Sequence, residues 1–338
     1  MSTLQRVGSP RRIAVALARR GRLLVSWFRA RRAFRTVYGQ RLSWTRLQDL
    51  TERNGSIDAP GRLGIHRRVT AGFDHHHLPT PFAIRFGTDD VEEVDLDGVR
   101  LVLDRADTSV SGSIIDGHYE PHLLAFVRDH LTPGMTFVDV GANVGLYTML
   151  AARLVRPSGR VFAVEPNSEN CRLLLVAVER NGFTNVTLHP VACGPERGRA
   201  VIRTALGSNG GIVDGEGDAL LDPTATVVAL APLDDLVDGP VDLIKIDVEG
   251  AEALVIGGAG RLLAEHRPTV ISEFSPEMLD RVSGIDALAY LQAWVDRGYA
   301  IHVCDRDSHA LVPVPDPAAF MATYPGPLHI EDLVLRPR

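Results

Sequence analysis

The chain has 338 residues, 45% apolar and 23% charged, with a formal net charge of −6. This is ordinary for a soluble globular protein and long enough for one large or two moderate domains with a substantial core. Three widely spaced cysteines, Cys171, Cys193 and Cys304, form no Cys-x-x-Cys pair, which argues against a zinc site or a disulfide framework and leads us to expect a cytoplasmic setting.

The N-terminal 48 residues carry twelve arginines and no acid, about +12, against −18 for the remainder. Ile13, Leu17, Leu24, Trp27, Phe28, Phe34 and Tyr38 recur roughly as one helix face, so residues 1–48 read as a basic amphipathic helical extension. Such a face could contact an anionic membrane peripherally, but packing on the acidic body of the same chain or of a partner subunit is the favoured reading. The run Ile13–Ala18 is too short for a signal-peptide core or a membrane span. Residues 49–81 read as a linker. Within it, His75-His76-His77 cannot converge on one ion and reads as surface loop. Residues 82–117 read as a β-rich lead-in, with Asp97-Gly98 as a hairpin signal, and 118–338 as the main domain.

Tyr119–Leu131 reads as a helix ending before Pro133-Gly134. Strand and helix then alternate. Strands are expected at Thr136–Val140, Arg160–Val164, Val186–Ala192, Val241–Val248 and Thr269–Phe274. Helices are expected at Leu146–Arg156, from a cap at Asn167 or Ser168 to Arg180, at Ala251–Leu263 and at Asp286–Arg297. Residues 195–225, rich in Gly, Asp and Asn, interrupt the pattern and read as a substrate-facing insertion with a short hairpin at Ala200–Ala205. Ala300–Cys304 and Asp332–Leu335 read as an antiparallel pair at the sheet edge. The expected fold is an α/β sandwich of Rossmann-like type with a largely parallel sheet.

Two segments carry chemistry. The first, Phe137-Val-Asp-Val-Gly-Ala-Asn-Val-Gly-Leu-Tyr-Thr148, is a strand, a tight turn with Gly141 and Gly145, and a helix. That order brings backbone N–H groups close to a small polar ligand. Glu165, at the end of the next strand, is placed to accept both ribose hydroxyls of a nucleoside. Asp139 before the turn suits the sulfonium and ammonium of S-adenosylmethionine and would repel a pyrophosphate.

The second segment is Asp242-Leu-Ile-Lys-Ile-Asp-Val-Glu-Gly-Ala-Glu252. Strand alternation puts Lys245, Asp247 and Glu249 on one face and Ile244, Ile246 and Val248 on the other. A lysine and a carboxylate inside a buried strand cost several kcal/mol unless paired. Lys245 is also the single lysine beside 35 arginines, a candidate for a position that needs a compact point charge. Glu273, ending the fifth strand, adds a carboxylate to the same rim. A buried ion pair that only fixes geometry is the plainer alternative.

On these residues the chain resembles the FkbM-type methyltransferase family. The resemblance rests on Asp139–Gly145 and Lys245–Gly250. Tyr119-Glu120, Ser208-Asn209, Leu233-Asp234-Asp235 and Glu273 agree further, and the likeness spans about residues 118–336. It implies an S-adenosylmethionine-dependent O-methyltransferase acting on a hydroxyl of a sugar or natural product. Donor-side residues would be Glu120, Asp139, Gly141, Asn143, Gly145, Glu165 and Asn167. The catalytic set would be Asp247, Lys245, Glu249 and Glu273. Asp247 is the expected base, oriented by Lys245, and His189 is a second candidate that reads better as a core residue. Alternatively Asp247, Glu249 and Glu273 would hold Mg²⁺ as a Lewis acid. A small-molecule partner and no nucleic acid are expected, because the fourth strand ends in Asp-Val-Glu-Gly where amino-methylating nucleic-acid enzymes have Asn/Asp-Pro-Pro-aromatic. A nucleic-acid methyltransferase, a dinucleotide oxidoreductase and a non-catalytic nucleoside-binding module are the rivals. The acceptor and the oligomeric state are not legible in the residues.

Overall fold

The computed structural model describes residues 91–105, 107, 110–204, 210–212, 225–327 and 329–338. The basic extension at 1–48, the linker with its histidine run, and Ser208-Asn209 lie outside the described residues.

The chain enters on a hairpin, β1 (Val91–Leu96) paired antiparallel with β2 (Val99–Asp104). Asp97 and Gly98 both have positive φ, as a two-residue turn of this twist requires, so the Asp-Gly signal reads correctly. Among the described residues of the rest of the expected β-rich lead-in, Val110–Ile115 is a helix instead, α1. Its first turn is anchored by Asp107, whose Oδ2 accepts the Ser111 N–H at 2.9 Å, while Val110 and Ile114 bury one face. α2 (Pro121–His130) starts on a proline, where the missing N–H costs nothing.

Three strand–helix units follow. Of these only the first two are complete, β3 (Thr136–Val140) with α3 (Leu146–Val155) and β4 (Arg160–Val164) with α4 (Ser168–Asn181), and the third is β5 (Val186–His189) without a helix. Asn167 caps α4 by accepting the Glu169 N–H, and Gly182 closes it in the left-handed conformation. The third strand is shorter than expected because Pro190 has no N–H for the ladder. Ala192–Cys193 (β6) instead joins a separate four-stranded sheet with β7 (Gly198–Thr204), β8 (Gly210–Ile212) and β9 (Ala225–Ala231), in the order β6-β9-β7-β8. The insertion is thus a small sheet, built around a strand at 225–231 that the sequence reading omitted.

After α5 (Leu233–Leu236) come β10 (Leu243–Ile246), α6 (Glu252–Gly257), α7 (Gly260–Glu265) and β11 (Thr269–Phe274). One helix was expected over 251–263. It breaks after Gly257, and Gly258 there allows a close approach to the Gly194 carbonyl that a side chain would block. The chain ends with α8 (Pro276–Met278), a π-helical turn at Leu279–Ser283, α9 (Ala287–Asp296), β12 (Tyr299–Cys304), β13 (Leu311–Val314), α10 (Pro317–Ala322) and β14 (Glu331–Pro337).

The main sheet has the order β13-β12-β14-β11-β10-β3-β4-β5. Strands β11, β10, β3, β4 and β5 are mutually parallel. β14 inserts antiparallel between β11 and β12. The two late strands do pair antiparallel, as expected, but the sheet edge is β13. Helices cover both faces. One face packs Phe137 and Leu243 against α2, α3, α4 and the hairpin. The other packs Val138, Val140, Ile244 and Ile246 against α6, α7 and α9. Residues from Val91 onward form one compact unit. No helix among the described residues is long and apolar enough to cross a membrane.

Candidate active site

Register decides which side chains meet at the carboxyl end of the parallel strands. Asp139 on β3 lies opposite Lys245 on β10, and Lys245 opposite Ile271 on β11. Two residues further along the same face come Gly141, Asp247 and Glu273, with Glu165 two beyond Ala163 of β4 and Asp332 opposite Glu273. The period of two therefore delivers one row of polar positions to one face, while Ile244 and Ile246 stay in the opposite core. A cavity of about 270 Å³ opens on that row.

At one end the cavity is lined by the glycine turn, Glu165, Pro166 and the apolar residues Val191, Ala192, Cys193 and Ile202. Gly141 has φ +83, and a side chain there would overlap the Asp247 carbonyl. The turn therefore needs glycine on both counts. Asn143, also at positive φ, donates its N–H to Glu165 Oε2 at 2.8 Å, and the Asn167 N–H reaches Oε1 at 2.8 Å. Burial pushes the Glu165 carboxyl up to about 7, against the lowering effect of those two backbone donors.

Asp139 is placed differently from the expectation. It does not line the cavity. It is 1% exposed, its Oδ2 accepts the Thr148 hydroxyl at 2.6 Å, and burial raises its pKa while Lys245 opposes the rise. It therefore faces Lys245 from behind rather than a ligand. Asn167 is likewise absent from the wall, acting as helix cap and as donor to Glu165.

At the other end the wall holds Tyr119, Glu120, Lys245, Asp247, Glu249 and Glu273. Lys245 is 3% exposed. Its ammonium bonds Asp247 Oδ2 at 2.6 Å and sits 4.7 Å from the centre of the Tyr147 ring. Burial alone would lower its pKa, but Asp247, Glu120 and Asp139 outweigh burial and raise it, so the amine stays charged. The Tyr147 hydroxyl donates to Glu120 Oε2 at 2.6 Å. One tyrosine on α3 thus touches both the cation and a carboxylate of the acceptor end. Burial raises the pKa of Glu120 to about 7 and also raises that of Glu249, and with Asp247 and Glu249 nearby it raises that of Glu273 to about 10.

Beneath this end, Glu252 is 1% exposed and its Oε1 accepts the N–H groups of Val248 at 3.1 Å and Gly250 at 3.2 Å. Ser283 holds the Gly250 carbonyl at 2.5 Å. These bonds fix a turn in which Glu249 has φ +55, a conformation that costs energy outside glycine and clusters at functional sites.

The sequence reading passed over Tyr147, Glu252 and the 191–193 wall. The first two are local to the motifs, at the start of the helix after the glycine turn and two residues past Gly250; the partners of Tyr147 are distant in sequence, whereas those of Glu252 are Val248 and Gly250 beside it. His189 lies outside the wall, stacked 6.2 Å from Phe162, with burial lowering its pKa. Asp247, Glu249 and Glu273 share the cavity but do not converge as ligands. Among the described residues no group of three or more His, Cys, Asp or Glu could hold a metal ion, so the Mg²⁺ alternative finds no support there.

Residues 139–300 match the model of the methyltransferase FkbM domain. This chain carries an FkbM-type methyltransferase domain. A protein-L-isoaspartate O-methyltransferase from Methanococcoides burtonii is 36% identical over 70 residues, which is 20% of this chain and 34% of that one, so the chain spans about a third of that relative. Among solved structures, a methyltransferase FkbM from Methylobacillus flagellatus KT is 18% identical, covering 63% of this chain and 50% of its own, with a TM-score of 0.39. A precorrin-6y C5,15-methyltransferase from Geobacter metallireducens GS-15 is 16% identical, covering 64% and 86%, with a TM-score of 0.37. The sheet order and the mixed strand directions are those of the Rossmann-like class I methyltransferase fold.

Proposed function

We propose that this chain transfers a methyl group from S-adenosylmethionine to a hydroxyl of a small molecule of sugar or natural-product type. The observation that carries the reading is that a single cavity joins the glycine turn and Glu165 to the Lys245–Asp247 pair. The residues fit the donor. Gly141 leaves a backbone cradle that a Cβ would close, Glu165 is aimed to accept ribose hydroxyls, and the apolar wall at 191–193 with Ile202 suits a flat base. Glu120 offers a carboxylate to the donor's positive end. When bound, S-adenosylmethionine supplies an electrophilic methyl on a cationic sulfur.

The protein's own part is orientation and proton handling. Asp247 gives Oδ2 to Lys245, and among the described residues no hydrogen bond engages Oδ1. That oxygen is available to take the acceptor's hydroxyl proton as the oxygen–carbon bond forms and the carbon–sulfur bond breaks. Lys245, unable to leave its three carboxylate neighbours, holds Asp247 in place.

The test is label transfer from methyl-labelled S-adenosylmethionine into a small-molecule extract of the producing cells. Asp247→Ala should lower transfer by about 10²–10⁴-fold, the usual worth of a positioned base, with S-adenosylhomocysteine affinity retained in calorimetry. Normal turnover in that variant would remove Asp247 from the mechanism.

A further inference from the structure

The acceptor end of the cavity has more carboxylates than cations. Glu120, Asp247, Glu249 and Glu273 line it, and among the described residues Lys245 is the one cationic residue in the wall. Its ammonium is already bonded to Asp247 and seated on Tyr147. Glu120 is engaged by the Tyr147 hydroxyl and, in the reading above, is assigned to the donor's positive end. Glu249 and Glu273 are left, both half-buried: Glu249 raises the cost of ionising Glu273, while Lys245 and Arg281 partly offset the charge of Glu249. A second observation comes from Tyr119. Its side chain is largely enclosed in the same wall and feels both of these carboxylates, yet among the described residues no hydrogen bond engages its hydroxyl. Carboxylates beside an aromatic ring are the chemistry that receives an ammonium group. An anionic acceptor, such as a phosphorylated sugar or a nucleic-acid backbone, would bring like charge into this wall. A neutral polyol would bring no charge to this pair, leaving Glu273 protonated and Glu249 with only Lys245 and Arg281.

Resting on the methyl-transfer reading above, we propose that the acceptor carries a protonated amine close to the hydroxyl that is methylated, and that Glu249, Glu273 and Tyr119 receive that amine. The ammonium is a spectator: held in its protonated form it has no lone pair, so the methyl goes to oxygen and the hydroxyl proton to Asp247. The acceptor class is therefore an amine-bearing alcohol, such as an amino sugar or an amino cyclitol.

The experiment follows methyl-labelled S-adenosylmethionine into the small-molecule extract, with half of the extract first N-acetylated by acetic anhydride in aqueous bicarbonate. The expected labelled product binds a cation exchanger at pH 5 and carries its new methyl on oxygen, and acetylation lowers its yield at least about tenfold. A neutral or anionic product, or a methyl on nitrogen, overturns the proposal while leaving methyl transfer intact. No labelled product from either half overturns the methyl-transfer reading itself. With the purified acceptor, Glu249→Gln and Glu273→Gln should each raise KM about tenfold with a smaller change in kcat. S-adenosylhomocysteine affinity reports that each variant is folded, and an unchanged KM in both overturns the assignment.

Discussion

The two ends of the cavity are built from different materials. At one end the wall is mostly backbone: a glycine turn whose Cα surface is uncovered by the absence of side chains, its own N–H groups being spent within the protein, and one carboxylate, Glu165, clamped by two backbone N–H groups. At the acceptor end it is side chains, with one lysine balanced among carboxylates. The difference follows from what each must do. A donor common to many enzymes is recognised by geometry, which the strand–turn–helix path fixes. An acceptor peculiar to one enzyme is recognised by charge, which point substitutions can change without moving the fold.

The contrast is broken most severely at Lys245. Lys245→Ala leaves Asp139, Asp247 and Glu120 without their cation, and loss of one partner from such a buried group costs about 3–5 kcal/mol. Urea unfolding should show a loss of that order, and a wild-type midpoint would mean that the acceptor end is not held by charge. On the donor side, Gly141→Ala meets both a positive φ and the Asp247 carbonyl. We expect about 3 kcal/mol of destabilisation together with loss of S-adenosylhomocysteine binding. An alanine variant that binds normally would show that the turn has slack the geometry denies it.

pH separates the two ends further. The Glu165 carboxyl is raised from 4.5 to about 7 by burial, so the folded state prefers it protonated. The stability it contributes is present below pH 4.5 and is lost as pH rises through 7, and the difference is worth at most about 3 kcal/mol. Glu165→Gln should flatten the fall in unfolding free energy between pH 5 and pH 8. An unchanged slope would assign the fall to Glu120 and Glu252, which are raised to about the same value. The smallest effect is expected at the bridge between the ends. Tyr147→Phe keeps the ring under Lys245 and removes only the hydrogen bond to Glu120, about 1 kcal/mol by thermal melting. A much larger loss would mean that Glu120 needs that donor to stay folded into the site.

Much of this was legible in the residues, for a physical reason. Thr136–Val140, Arg160–Val164 and Thr269–Phe274 are strands with the bounds expected, because buried parallel strands are short apolar runs with clear stops. The shared face of Lys245 and Asp247 followed from the period of two, but the strand expected over Val241–Val248 is only Leu243–Ile246, and Glu249 reaches the cavity from a turn at φ +55 rather than from the strand. What stayed hidden depends on partners far away in sequence. Asp139 looked like a ligand-facing carboxylate, and only the register with Lys245 shows that it is covered. Strand 225–231 could not be seen before its partner at 198–204 was known. The break at Gly257-Gly258 was visible as two glycines, but the close approach to the Gly194 carbonyl that Gly258 allows was not.

The placement of the one lysine has a practical consequence. In a chain whose other 35 basic residues are all arginine, amine-directed labelling has one internal side-chain target, and that target lies 3% exposed at the junction of the two ends. The rate at which an acylating reagent reaches it is then a clock for local opening of the site. Slowing of that clock by each ligand measures how tightly that ligand holds the two ends closed.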